Sequence, residues 1–416
     1  MVTLSQPPPD RKRRVAFVVQ RYGLEVVGGA ELHCRQLAER LLPWFEVDVL
    51  TSCALDYVTW ENFYPEGTSS INGVSVRRFA SAQQRHPQMN RWWDRWSRQK
   101  RPLHEEISWL MEQGPVLPGL LNELAAKRYQ YGLFIFFTYL YFPTAMGLRL
   151  VADRSVLFPT ANPGEGPLYL SCFRELFLLP RALIYCTAEE RDHVHETFGN
   201  AGIPHDVIGV GFDPIHSDDP NRFRQKHGLA KPYLLFLGRI GASKGCDVLL
   251  DFFLQYVDSG GGDFELVLAG SLELELPQSP FIHYVGTVDG QEKCDALVGS
   301  AAIVCPSPWD CLSMLACEAW SAGRPILVTA RSPVVSSLCA RAKGGSAFAD
   351  ASEFSDLLRK LAMDRDWGDE CGRNGRRFIE QNYGWDIVLS KLHRLIEREY
   401  SREVGPIDHS KLPGAT

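Results

Sequence analysis

Two carboxylates stand eight positions apart in "PSPWDCLSMLACEAWSAGRP", residues 306–325. Asp310 opens the stretch and Glu318 falls in its apolar middle. A helix starting near Leu312 leaves Asp310 in the loop or at the cap. It carries Glu318 almost two turns inward, because eight helical residues rise about 12 Å. A single metal demands tighter convergence, and a glycosidase pair flanks one bond at about 5 to 9 Å. Both fit less well than two acids touching opposite ends of one extended ligand. The plainer alternative is a capping Asp and an exposed Glu, but Leu315, Ala316, Ala319 and Trp320 surround Glu318 in sequence.

A second cluster supplies the opposite charge. In "LGRIGASKGCD", Gly238, Arg239 and Lys244 belong to a glycine loop that opens a helix. Two cations beside backbone N–H groups suit a diphosphate. The order Lys-Gly differs from the Gly-Lys-Ser of a P-loop, and a solvated pair of surface charges is the alternative. Gly28 and Gly29 stand just before another helix and could also approach an anion, or form a plain tight turn. In "HYVGTVDG", the small residues Gly286 and Thr287 after Tyr284 leave room for a flat ring against the backbone.

The elements that must position these residues alternate. "RVAFVVQ" (14–20) reads as a strand, "AELHCRQLAERLL" (30–42) as a helix and "EVDVLT" as a strand again. Further strands are expected at 133–137, 155–159, 182–186 and 206–210, with a helix over "AEERDHVHETFG" stopped by Gly199. The polar "NRFRQKHGLAKP" interrupts the pattern, which then restarts: "YLLFLGR", "FELVLAG", "FIHYV", "AAIVC" and "PILVT" read as strands. Two successive α/β sheets follow, each parallel and covered by helices. Ligands of such sheets sit at the carboxyl ends of the strands, where both clusters fall.

Composition bounds the function. The chain has 416 residues, 45% hydrophobic and 23% charged, with a formal net charge of -6. That balance gives no general attraction to nucleic acid. Eleven cysteines are scattered without a Cys-x-x-Cys pair. Cys305, Cys311 and Cys317 recur every six residues with no nearby His, so they read as packing, and no metal site is expected. "MVTLSQPPPDRKRR" has no apolar run behind its charges and reads as a disordered basic arm over 1–14. Residues 131–148 carry no charge over 18 positions, but Pro143 and the central aromatics favour a buried strand followed by a helix over a membrane span. Residues 85–101 hold six Lys or Arg around Trp92, Trp93 and Trp96. They make a candidate peripheral membrane contact, the alternative being tryptophans packed on the first sheet.

"LGRIGASKG", followed about 60 residues later by "PSPWDCLSMLACEAWSAGRPILV", resembles glycosyltransferase family 4, of the GT-B fold. The resemblance runs over essentially the whole chain and is strongest in the second half. It implies two Rossmann-like α/β domains facing across a cleft: 15–210 on the acceptor side, 211–384 for the nucleotide-sugar donor, and a last helix, 385–416, packing back on the first. It implies that Glu318 binds ribose hydroxyls, that Asp310 contacts the transferred sugar, and that Arg239 and Lys244 hold the diphosphate. It further implies that the backbone from Tyr284 to Thr287 meets the base, and that Cys311, Leu312, Ser313, Met314 and Leu315 lie along sugar and phosphate. Two departures stand out. The acid pair is Asp-x7-Glu where the family has Glu-x7-Glu, and Asp310 reaches roughly 1.5 Å less. The stretch "FPTANPGEGPLY" offers Asn162 and Glu165 where many relatives carry a histidine.

The expectation is therefore a retaining, metal-independent hexosyltransferase without a cofactor. It would move a sugar from a UDP-sugar, UDP-glucose first, to a glycan or lipid-linked acceptor in polysaccharide or glycoconjugate synthesis, in the cytoplasm or at the inner membrane face. A GT-B nucleotide-sugar epimerase and a non-catalytic nucleotide-sugar-binding protein are the alternatives.

Overall fold

The computed structural model describes residues 12–26, 28–86, 89 and 101–402. They form two compact units, one of residues up to Val210 and from Val388 onward, the other Gly211–Ile387.

The first unit is built on an eight-stranded sheet in the order β3-β4-β2-β1-β5-β6-β7-β8. Its strands are β1 (Arg13–Val18), β2 (Phe45–Ser52), β3 (Gly67–Ile71), β4 (Val74–Phe79), β5 (Leu133–Phe137), β6 (Ser155–Phe158), β7 (Ala182–Tyr185) and β8 (His205–Val207). All neighbours pair in parallel except β3 with β4. The central strands read as unbroken apolar runs because helices cover both faces; every residue of β5 is buried. Residues 131–148 thus divide into β5 and the start of the helix Phe142–Leu150, whose second residue is Pro143. No helix among the described residues is long and apolar enough to cross a membrane.

Strand β1 takes in Arg13 and Arg14, so the basic arm expected over 1–14 loses its last two arginines to the sheet. Each has a partner there: Arg13 pairs with Glu397 and Arg14 with Asp48. Residues 1–11 lie outside the described residues, as do Trp92, Trp93 and Trp96. Four members of the candidate membrane contact are described: Met89 and Arg85 are buried, the Arg85 guanidinium donating to the Tyr57 carbonyl and the Gln113 side chain, while His86 and Arg101 are half-buried. The helix Trp385–Ser401 closes this unit. Glu399, buried in it, pairs with Arg181 beside β7, Lys391 donates to the Val207 carbonyl, and Tyr400 fills the space that a side chain at Gly132 would need.

The second unit carries a six-stranded, all-parallel sheet in the order β11-β10-β9-β12-β13-β14. The strands are β9 (Tyr233–Leu237), β10 (Glu265–Ala269), β11 (Ile282–Tyr284), β12 (Ala302–Cys305), β13 (Ile326–Thr329) and β14 (Gly345–Phe348). Counted within the unit, this is the dinucleotide-fold order 3-2-1-4-5-6. The order reverses between β9 and β12, and loops leaving those strands diverge to opposite faces and open a crevice.

Candidate functional site

The two charged clusters occupy that crevice. The glycine loop follows β9 and the Asp310 loop follows β12, so the topology brings residues 66 positions apart into contact. Lys244 Nζ lies 3.1 Å from Asp310 Oδ1. Gly245 has φ +72°, and a Cβ there would stand 2.3 Å from the Pro306 carbonyl oxygen. Only glycine allows this backbone conformation together with that close approach. Burial depresses the Lys244 ammonium, but the Asp310 charge and hydrogen bond outweigh it and hold the pKa above its ordinary value.

The helix carrying Glu318 runs Met314–Ser321, two residues shorter at its start than the sequence suggests. Ser313 is the reason. Its hydroxyl accepts from the Ala316 N–H and caps the first turn, while Cys311 and Leu312 stay in the loop. Glu318 is therefore the fifth helical residue. Its neighbours in sequence suggest burial among apolar groups. Instead its side chain is 16% exposed and its Oε1 accepts from Lys293 Nζ at 2.7 Å. Met314 and Leu315 are half-buried and Leu312 is buried. The helix is seated by Trp320, fully buried, whose indole donates to the Gly344 carbonyl. Gly375 of the helix Arg365–Asn382 passes so close that a Cβ there would lie 2.0 Å from the Trp320 ring.

Each acid is thus bound to one lysine through one oxygen. The second oxygen of each remains available to a hydroxyl group, and each ammonium has two further donors. Arg239 lies 3.8 Å from Glu273, a loose and exposed pair. Glu273 follows β10, and its Oε2 stands 2.8 Å from where a Cβ of Gly241 would be, over the glycine loop. Much of that loop's backbone is already engaged: the N–H groups of Gly238, Ile240, Gly241, Lys244, Gly245 and Cys246 all donate to carbonyls. Few of these amides are left for an anion, a correction to the expectation of free N–H groups. Tyr284 ends β11, exposed, with its hydroxyl donating to the Gly270 carbonyl; Gly286 follows with φ +75°, and Thr287 is exposed. They share the carboxyl edge of the sheet with the loops after β9 and β12.

In the first unit the glycine pair has a packing role. Glu31 of the helix Gly29–Leu41 folds back over Gly28, where a Cβ would stand 2.2 Å from its carboxylate, and pairs with Arg21 at 2.5 Å. A buried carboxylate already serves the helix start, which removes much of its attraction for an added anion. After β6, the Asn162 N–H points to the Glu165 carboxylate at 3.4 Å, and the Tyr139 hydroxyl lies beside that carboxylate. Burial pushes Glu165 up to about 7. A further acid lies behind it. Glu190 is fully buried and accepts from the N–H groups of Ala161 and Cys186, tying the loop after β6 to the loop after β7. Burial, opposed by those N–H groups and reinforced by Glu165, pushes Glu190 up to about 8.

Lys293, Glu273 and Glu190 are absent from the sequence reading. Each acts on a residue 25 or more positions away, and no local pattern announces such a contact.

Residues 231–364 match the family described as "Glycosyl transferases group 1". That segment holds both cations and both acids. The uncharacterised glycosyltransferase MJ1607 of Methanocaldococcus jannaschii is 21% identical over 91% of this chain and 96% of its own. The chain has the GT-B fold, and its second unit carries a glycosyl transferases group 1 segment. The sulfoquinovosyl transferase SQD2 of Arabidopsis thaliana is 24% identical over 45% of this chain, and the match spans little more than a third of that relative, 37%. Among solved structures, sucrose-phosphate synthase from Thermosynechococcus elongatus superposes with TM-score 0.70 at 15% identity, covering 93% of this chain and 99% of its own. Anabaena HepE, solved in complex with UDP-glucose, gives TM-score 0.66 at 13% identity over 92% and 99%. These likenesses carry the fold.

Proposed function

We propose that this chain moves a hexose from a UDP-sugar, UDP-glucose first, to a glycan or lipid-linked acceptor, with retention and without a metal. The observation that carries the proposal is the Lys244–Asp310 contact at the reversal of the strand order, with Glu318 on the helix that follows. It assembles a cation for the diphosphate and two acids with a free oxygen each for sugar and ribose hydroxyls. The UDP-glucose bound by the similarly folded Anabaena HepE supports the choice of donor.

In the transfer, the bond from the sugar C1 to the diphosphate oxygen breaks with its electron pair on that oxygen. The acceptor hydroxyl forms the new bond to C1 from the same face and passes its proton to the departing phosphate. Lys244 and Arg239 stabilise the charge that develops there. Asp310 orients the sugar while its pairing keeps Lys244 protonated. The first unit takes the acceptor, with Asn162 and Glu165 as contacts.

Incubation with UDP-[14C]glucose and an acceptor panel, with and without EDTA, tests this. Labelled glycoside of retained anomeric configuration, formed equally with EDTA, is expected. An epimerised donor, or no turnover with any UDP-sugar, would contradict it.

A further inference from the structure

Glu318 is not alone at the donor site. Lys293 belongs to the helix Gly290–Gly299, which begins just after the Tyr284–Thr287 segment and leads into β12. Its ammonium holds Glu318 Oε1 at 2.7 Å. Both side chains are partly shielded, 35% and 16% exposed, so the pair is less screened than one in open solvent. The hydrogen bond fixes one carboxylate oxygen and leaves Oε2 as an oriented acceptor. A glutamate on its own has three side-chain torsions to freeze when it meets a ligand. One already clamped meets that cost during folding and presents its free oxygen at a set angle.

We infer that Lys293 is a positioning residue: it clamps Glu318 so that the free oxygen accepts from a ribose hydroxyl, and thereby sets the preference for ribonucleotides over deoxyribonucleotides. This rests on the reading of Glu318 as the ribose acid. A site that hydrogen-bonds a hydroxyl discriminates strongly against a ligand lacking it, because its polar group is left unpaired. That discrimination depends on the acid being held in place. If Lys293 were only a brace between two helices, its loss would lower stability and weaken all nucleotides alike.

The experiment is calorimetric titration of the full chain with UDP and with 2′-deoxy-UDP, for wild type, Lys293→Met, Lys293→Gln, Lys293→Arg and Glu318→Gln. Wild type should prefer UDP by roughly ten-fold or more, the worth of a charge-assisted hydrogen bond. The preference should fall to about three-fold or less in Lys293→Met and Lys293→Gln, and return in Lys293→Arg, whose guanidinium restores the partner. Lys293→Gln keeps side-chain bulk and serves if the methionine variant does not fold. A preference unchanged in both neutral variants, whatever their melting temperature, overturns the inference while Glu318→Gln still abolishes it. A preference that survives Glu318→Gln, or is absent in wild type, removes the ribose role of Glu318 itself.

Discussion

Glu273 stands where a bound phosphate would least want it, and changing it to Gln should tighten UDP. Its carboxylate lies over Gly241 and faces Arg239 at 3.8 Å. An anion held over that glycine loop comes within roughly 5 Å of the carboxylate. Two unit charges at that distance repel by about 0.8 kcal/mol at the dielectric of water, and the exposed position of Glu273 calls for that high value. With more than one charge on a diphosphate, and Glu273 free to swing partly aside, a net of about 1 kcal/mol is reasonable, roughly five-fold in affinity. Glu273→Gln keeps the size and removes the charge. Calorimetric titrations at about 20 mM and about 500 mM salt should show UDP several-fold tighter in the variant at low salt, with the gain largely screened at high salt. Uridine, lacking phosphate, should bind the two proteins alike. Weaker UDP binding in the variant, or an equal change for uridine, would show that the diphosphate does not lie over the β9 loop.

Lys244→Met should weaken UDP by ten-fold or more in the same titration and leave uridine nearly untouched, since it removes the cation that Asp310 holds in place. Trp320→Ala should destabilise the second unit by about 3 to 5 kcal/mol in denaturant melts, because it opens a cavity under the Glu318 helix; Gly375→Ala, placing a methyl against the same ring, should also lower the melt midpoint. The acids with raised pKa make stability fall as pH rises. Glu165 stays protonated in the folded protein up to about 7 and ionises from about 4.5 when unfolded, so the unfolded state gains between those values. Denaturant midpoints from pH 5 to 8 should show Glu165→Gln gaining on wild type as pH rises through that window; a constant difference would mean that Glu165 is solvated.

Much of the fold is legible because parallel strands buried on both faces must be apolar runs. "LFIFF" and "YLLFL" became β5 and β9 for that reason. Among the strands that escape, two have weaker demands. β3 is nearly all exposed on the sheet edge, although its hairpin to β4 carries an Asn72-Gly73 turn with both residues at positive φ, a strong turn signal in the sequence. β14, "GSAF", is short and only half-buried. At the site, the acids and cations are visible because charge at the end of an apolar run is costly without a purpose. What each charge meets is not visible. That Glu318 is clamped by Lys293, that Glu273 overhangs the glycine loop, and that Glu31 occupies the space beside Gly28 all depend on side chains from separate elements converging in space. The helix start also moved, because Ser313 offers a better cap than the residues before it.

Hydrogen–deuterium exchange of the full chain with and without saturating UDP locates the nucleotide in one measurement. Protection confined to peptides covering 238–246, 284–290 and 310–318 is the expected result, because those segments carry the cations, the turn proposed for the base and the acids. UDP binding that leaves these three segments unprotected would contradict the donor site.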